Sequence, residues 1–512
     1  MSAELIKTYQ SFVVSSQNAL GGGFAVSVSI FIFYICLVIF FNSNQKSMMK
    51  KIGILLFLFI SLGVSAAEYT FSAKDIPAMK QLLGSGKLQP GDVVVLKDGT
   101  YEHLEEVHFT GKGTFGKPIT WRAEHPGKAV ISGRLDLKIY GEHLQLKDLF
   151  FYKAWAIGHN MIDFQKEKGT EASYCRMTGC VIDECNNPAK GTRPKEGDEY
   201  WVRLRGTNNR IDHCYFANKR VGGLVLQVWL SADSHLNNHL IDHNFFGERQ
   251  PYGGNGAEII RIGHSWSSQW ESRTVVEDNV FFRCSGENEI ISVKSCHNVL
   301  RRNLFYESAG GLVCRHGHYN VIESNTFIGH GLRGTAGIRI INQGHTVYDN
   351  YIKEVTAFGL LVRVGVYERP TAETDIKKEP LTSYHRVENV DIAYNTFLNC
   401  PLELCSGYGD KMPRNVRFAH NLLAGQKPEL KIVKADEVLP GFLFLDNQWA
   451  FPDAASLSAL PYERIKSGFD AVTAPVGLEK KEKERVDAVL FAAGPAWYEA
   501  MKENVNYIDT HR

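Results

Sequence analysis

The chain has 512 residues, 44% of them hydrophobic and 22% charged, with a formal net charge of +1. This is ordinary globular composition, long enough for one large domain or a few average ones. So even a charge balance excludes a global basic field for nucleic acid or a membrane surface, and an acidic ligand must be met by a local basic stripe.

In chain order, Phe24 to Phe41 is an apolar run of roughly the length that spans a bilayer. It is either a membrane anchor or part of a gene-model extension covering residues 1–47. Residues Met49 to Ala67 read MKKIGILLFLFISLGVSAA: a Lys50-Lys51 start, an apolar core and small residues before the expected cleavage after Ala66 or Ala67. This is the pattern of a secretory signal peptide over 48–67, and it predicts a secreted or periplasmic mature chain with no stable membrane association. Export permits disulfides, yet most of the remaining cysteines sit in apolar strand-like runs, where buried thiols are expected. Cys175, Cys180 and Cys185 are the cluster where a bridge could form.

Ser72 to Leu83 carries apolar positions at helical spacing with a Ser72/Asp75 start, which predicts a cap helix; GDVVVLKDGTY then begins a first coil. Asn186 to Glu199 is polar, contains two prolines and is expected to loop out.

From about residue 175 the chain repeats a phrase of apolar residues, Asn, then an aromatic or aliphatic pair. The asparagines are Asn244, Asn279, Asn303, Asn325, Asn350, Asn395, Asn421 and Asn447, separated by 35, 24, 22, 25, 45, 26 and 26 residues. A unit near two dozen residues without helical heptads predicts an all-β fold, a single-stranded right-handed parallel β-helix (β-solenoid) over 68–450. The longer spacings are units carrying insertions. Asn fits a tight corner where stacked amides bond along the axis, and it tolerates left-handed backbone. The segment 451–512, helical over Glu484 to Glu503, is expected as a short C-terminal cap or tail.

About a dozen residues beyond the asparagines lies a second register: Arg261, Lys294, Arg315, Arg339 and Arg363, separated by 33, 21, 24 and 24 residues. Equivalent positions of successive coils stack, so these five cations are expected in one vertical row, a groove for a linear polyanion. Beside them, Glu287 and Glu289 share a strand face, and Asn255 precedes Glu287 by 32 residues. Two carboxylates and an amide oxygen form a hard-oxygen set that suits Ca²⁺. A glycoside hydrolase pair is the competing reading, but carboxylates two residues apart leave no room for a sugar between them. A non-catalytic carbohydrate-binding β-helix would show the cations without needing the Glu287/Glu289/Lys294 cluster.

The run ENEIISVKSCHNVLRRNLFYESAGGLVCRHG, with NGAEIIRIG before it, resembles polysaccharide lyase family 6, which comprises alginate lyases and the dermatan-sulfate-cleaving chondroitinase B. The resemblance spans roughly 68–450. It implies calcium held by Asn255, Glu287 and Glu289, Lys294 as base, Arg315 as acid, and His316, Arg261 and Arg339 as substrate contacts; His316 is also a candidate to share the acid's task, and the register adds Arg363 to the substrate contacts. It also implies β-elimination on a uronate polymer, alginate ahead of dermatan sulfate, by a protein expected to be a monomer without nucleic-acid partners.

Overall fold

Each coil is built from three short strands. Val275–Glu277, Val280–Phe282 and Glu289–Lys294 make one coil; Val299–Arg301, Leu304–Tyr306 and Gly310–His316 make the next. Each strand pairs in parallel with its counterpart one coil on, so the chain winds a parallel β-helix with three faces. The first face contains fourteen strands, rising in sequence order from Glu68–Phe71 to Phe442–Leu445. The other two faces are joined through the long strand Ala129–Glu142. This computed structural model describes residues 66–191, 197–369, 383–452, 456–473 and 476–512, and residues 66–512 form one compact unit. The apolar run Phe24 to Phe41 and nearly all of the signal segment lie outside the described residues. No helix among the described residues is long and apolar enough to cross a membrane.

The repeated asparagine explains the corner between first and second faces. From Asn244 to Asn447 all eight are buried; each of the first seven donates through Nδ2 to the Oδ1 of the next asparagine at 2.9–3.1 Å, and Asn447 donates to Gly468 O at 3.0 Å. Each amide also donates to a backbone carbonyl of the preceding coil, as Asn303 does to Val276 O at 2.9 Å. A buried amide is costly unless fully bonded, and the column bonds every one. The left-handed residue of this corner is not the asparagine but its predecessor: His243, Asp278, Arg302, Ser324, Asp349, Tyr394, His420 and Asp446 all have φ between 47° and 61°. The side chain that turns inward needs ordinary geometry to reach its stacked partner, so the strain falls one residue earlier. Behind the amides, Phe216, Phe246, Phe281, Phe305 and Phe327 stack at 5.1, 4.9, 4.7 and 4.4 Å, an apolar column along the axis.

The cap helix runs Ile76–Gly84, with Pro77 in its first turn and Met79 and Leu83 buried on the first coils. Ser72 donates to Asp75 through both backbone N (2.9 Å) and Oγ (2.6 Å), so the Ser72/Asp75 pair forms the entry to the helix, which begins after it. The coil stack extends past residue 450, because Phe469–Ala471 pairs with Asn447–Ala450. The expected single C-terminal helix is two, Leu478–Leu490 and Glu499–His511, broken where Gly494 takes φ +74° before Pro495. Neither closes the end of the stack. Val486, Val489, Leu490, Met501 and Ile508 instead cover a lateral stripe of the second face that includes Val181, Tyr215, Phe245, Phe282, Leu304 and Ile328. All nine cysteines of the described residues are free and buried, including Cys175, Cys180 and Cys185. Part of the polar segment 186–199 is outside the described residues; its end is not a free loop, since Glu199 is buried and accepts from Ala156 N at 3.0 Å.

Candidate active site

The third face carries the site. Its strands Ile260–Gly263, Glu289–Lys294, Gly310–His316, Thr335–Ile340 and Phe358–Arg363 run side by side, one from each of five coils. Alternate residues point into the core (Ile291, Val293) or outward (Ser292, Lys294).

The expected single row of cations is two columns. Arg261 pairs with Ser292, and Arg339 pairs with Val313 on one side and Leu361 on the other. Lys294 pairs with Gly263 and His316, and Arg363 lies two residues beyond the position level with Arg339. Arg315 falls at the register shift between the Val293–Cys314 and Lys294–His316 pairs. A shift of two residues moves a charge about 6.6 Å along the strand. Alternating columns therefore relieve the repulsion that like charges on adjacent rungs would suffer.

Between these cations sits an acidic centre. Carboxylate oxygens of Glu258, Glu287 and Glu289 all lie within 4.8 Å of one another. Glu258 was not singled out from the sequence, although the register that pairs Ile260 with Ile291 also places Glu258 one coil below Glu289. Asn255 lines the same cavity of about 430 Å³ as Glu287, but it is exposed and stands on the rim; the acid that closes the cluster is Glu258.

The cluster is unevenly compensated. Glu289 accepts from Ser292 Oγ at 2.5 Å and from Arg339 Nη2, with Arg315 Nη1 at 3.5 Å. Glu258 Oε1 stands 3.6 Å from Arg261 Nη1 and 3.8 Å from Lys294 Nζ. Glu287 accepts only a backbone bond, from Gly256 N at 3.1 Å, and its carboxyl is pushed up to about 9, first by burial and then by Glu258 and Glu289. Glu258 Oε2 and Glu287 Oε1 are buried without partners. Three converging carboxylates, two of them with an orphaned oxygen, are what a hard divalent cation satisfies, so the residues fit such an ion.

Lys294 is largely buried, its side chain 15% exposed. Its amine is held below the ordinary lysine value, by burial first and then by Arg261 and Arg315, while Glu258 and Glu289 act the other way. Desolvation is the larger of the two effects that lower it. His316 is 3% exposed, and burial, then Arg315 and Lys294, hold its imidazole down at about 3, so it is neutral. Arg339 is also shielded. Arg363 lies over the ring of Tyr384, 4.7 Å from its centroid.

Two further side chains touch the cation columns without having been read from the sequence. Tyr200 Oη accepts from Arg261 Nη2 at 3.3 Å, and Tyr384, which follows the insertion between the Asn350 and Asn395 coils, touches both Arg315 and Arg363. Neither falls in the repeat phrase, which is the signal that located the others.

A family model described as Chondroitinase B matches residues 79–446. Among solved structures, a mannuronic acid specific polysaccharide family 6 lyase from human gut microbiota is 82% identical, with a TM-score of 0.86 over 87% of this chain and 100% of its own. The PL6 family alginate lyase AlyGC is 32% identical, with a TM-score of 0.73 over 84% of this chain, which spans 59% of AlyGC. The PL6 family polysaccharide lyase Pedsa3628 from Pseudopedobacter saltans is 25% identical, with a TM-score of 0.62 over 78% of this chain and 94% of its own. No curated protein matches. With nearly the whole coil stack inside the matched region, the chain belongs to the chondroitinase B family, polysaccharide lyase family 6.

Proposed function

We propose that the protein is an alginate lyase acting on mannuronate-containing chains, with Lys294 as the base of a β-elimination and Glu258, Glu287 and Glu289 as the seat of a calcium ion. The observation that carries this reading is the adjacency of a desolvated amine, an unbalanced acidic centre and a band of arginines on one face. The 82% identity to a mannuronic acid specific lyase supports the choice of sugar.

The reaction takes the proton from C5 of a uronate and expels the 4-oxygen, forming a C4–C5 double bond. Burial favours the neutral form of Lys294, the form able to accept that proton. Arg261 and Arg339 hold the uronate carboxylate from the column they share. Arg315 stabilises the charge growing on the departing oxygen, since a guanidinium stays protonated at any working pH. His316, neutral and level with Lys294, offers a hydrogen-bonding edge without adding charge. Calcium, when bound, supplies neutralisation of the uronate carboxylate, which makes the C5 proton acidic; Asn255 at the rim is placed to complete its oxygen set. The arginine columns suit a linear acidic polysaccharide. The Met49 to Ala67 segment supports export to the periplasm or beyond, and we infer a monomer with no nucleic-acid partner.

The test is incubation with polymannuronate, polyguluronate and dermatan sulfate, following ultraviolet absorbance of the conjugated product with and without a calcium chelator. Polymannuronate is expected to give the fastest rise, abolished by chelation and restored by calcium. Preferential cleavage of dermatan sulfate would move the protein to the other branch of its family, and an undiminished rate under chelation would remove the metal from the reaction.

A further inference from the structure

Arginines on the first face are matched to acids one coil away. Arg176 meets Asp212, Arg210 meets Asp242, Arg301 meets Glu277 and Arg417 meets Asp391, each at 2.6 Å. Arg203, on the third face, has no such match. It is buried between the rings of Tyr200 and Trp229, 4.9 and 4.8 Å from their centres, and its Nε donates to Gln227 Oε1 at 2.9 Å. Asp163, its partner in the strand register, is taken by Arg205 at 2.8 Å. Arg203 forms no ion pair with any described residue. Aromatic rings hold the three arginines of this corner together: Arg261 and Arg203 lie over Tyr200, and Arg203 and Arg205 over Trp229. A ring attracts a cation without neutralising it. A largely buried charge is costly unless paired, so Arg203 calls for an anion from outside the chain.

Register fixes where that anion would sit. Arg203 continues the Arg261 column through Gln227. Trp229 continues the Lys294 column through Gly263, two rungs or about 9.6 Å from the base. Gly263, at φ +85°, puts no side chain between them. Trp266 stands beside Trp229 at 6.0 Å, stacked on His264 at 5.6 Å and 11° and met edge-on by Trp270 at 5.4 Å. Gln227 ties the parts together, since its Nε2 lies 2.9 Å from His264 Nε2. Though braced in this way, Trp266 is 45% exposed, and a fixed indole face is a platform for the C–H face of a pyranose ring. We propose that Arg203 and Trp266 form a second uronate subsite, two rungs from the base toward the N-terminus, an inference that rests on the lyase reading above. Arg203 meets the carboxylate of a unit remote from the reacting one, and Trp266 packs against its ring. Neither touches the reacting atoms. They anchor the chain, so that binding of the remote unit holds the reacting unit over Lys294, and long chains are preferred to short ones.

The competing arrangement is a stack of rings and cations that only stiffens the coils. Arg203→Gln removes the charge, Trp266→Ala removes the platform, and thermal melting shows whether each variant keeps the fold. Trp266 belongs to a short turn, Ser265–Ser267, outside the coil core. Turnover is measured on trimannuronate, which spans the base and its immediate neighbours, and on octamannuronate. Each variant is expected to lose roughly tenfold or more in kcat/KM on the octamer, with the trimer turned over as by wild type. In the Lys294→Ala protein, which cannot turn the octamer over, the octamer is expected to shift indole fluorescence, and adding Trp266→Ala to remove that shift. Equal losses on trimer and octamer overturn the proposal, because the residues would then shape the reacting site itself. So does an octamer rate left at wild type. If wild type forms no unsaturated product from any uronate polymer, the lyase reading falls. Calorimetry with octamannuronate then decides the subsite alone: equal affinity for wild type and Arg203→Gln overturns it, and a loss of roughly tenfold upholds it.

Discussion

Lys294 Nζ lies 3.8 Å from Glu258 Oε1, an acid contributed by the previous coil. The base and the metal seat therefore share a carboxylate. Glu258 also meets Arg261 at 3.6 Å and leaves its second oxygen unpartnered.

Replacing Glu258 with Gln should accordingly weaken calcium binding. Removal of a charged donor from a three-carboxylate set is expected to raise the calcium Kd by at least roughly 10–100-fold. Titration calorimetry on the apoprotein reads this directly, and an unchanged Kd would place the ion elsewhere.

Lys294→Ala and Arg315→Ala should each remove polymannuronate turnover, by roughly 10²–10⁴-fold, while melting behaviour stays close to wild type. Both side chains lie outside the hydrophobic core, so no cavity forms in the coil. A Lys294→Ala variant with near-normal rates would assign the base to another group.

Asn395 tests the amide column. Its Nδ2 donates to Val347 O, Ala393 O and Asn421 Oδ1, and its Oδ1 accepts from Asn350. Asn395→Ala strands buried partners on both adjacent coils and should cost about 3 kcal/mol or more in chemical denaturation. A loss within experimental scatter would mean the column orders the corner without stabilising it.

Asp212 sets an acid limit on stability. It is fully buried on the first face and accepts from Arg176 Nε and Nη2 at 2.6 Å each, with His213 Nδ1 at 2.8 Å and Arg210 Nε at 3.4 Å. Burial alone would raise its pKa; the Arg176 and His213 bonds and the Arg210 charge overcome that and hold the carboxyl well below its ordinary 3.8. A depressed folded value stabilises the fold above the unfolded value and loses that contribution as pH falls below it. Asp212→Asn should destabilise by about 3 kcal/mol near neutrality, and the gap in melting temperature should close as pH drops through 4 and below. A gap constant with pH would show that packing, not charge, is what the substitution removes.

The architecture was legible because a solenoid writes its period into the chain: eight asparagines at regular spacing fix coil length, corner and rung. The identities of Lys294, Arg315, Glu287 and Glu289 as neighbours followed from the same superposition. What the sequence hid were lateral offsets and insertions. The register shift at Val293–Lys294 divides the cations into two columns, and no spacing count reveals a bulge. Glu258 was concealed by lying three residues before Arg261, in a phrase read for its cation. Tyr384 arrives from an insertion without periodicity. The helical tail was readable as helix, but its target was not, since nothing in an amphipathic pattern says which apolar stripe it will cover.

That tail ties distant parts of the chain together. Trp497 Nε1 donates to Gly179 O at 3.2 Å across 318 positions, the Tyr498 hydroxyl bonds Asp183 across 315, and Tyr351 donates to Glu482 at 2.8 Å. Coils can wind one after another as they are synthesised, each templated by its neighbour. The stripe around Tyr215 and Phe245, however, stays wet until helices made roughly 240 to 290 residues later swing back over it. Growth of the spiral draws on contacts between neighbouring coils, whereas latching of the tail draws on contacts of very long sequence separation, whose loop-closure entropy slows their formation. Until the tail is in place, that stripe is an apolar surface open to other copies of the chain.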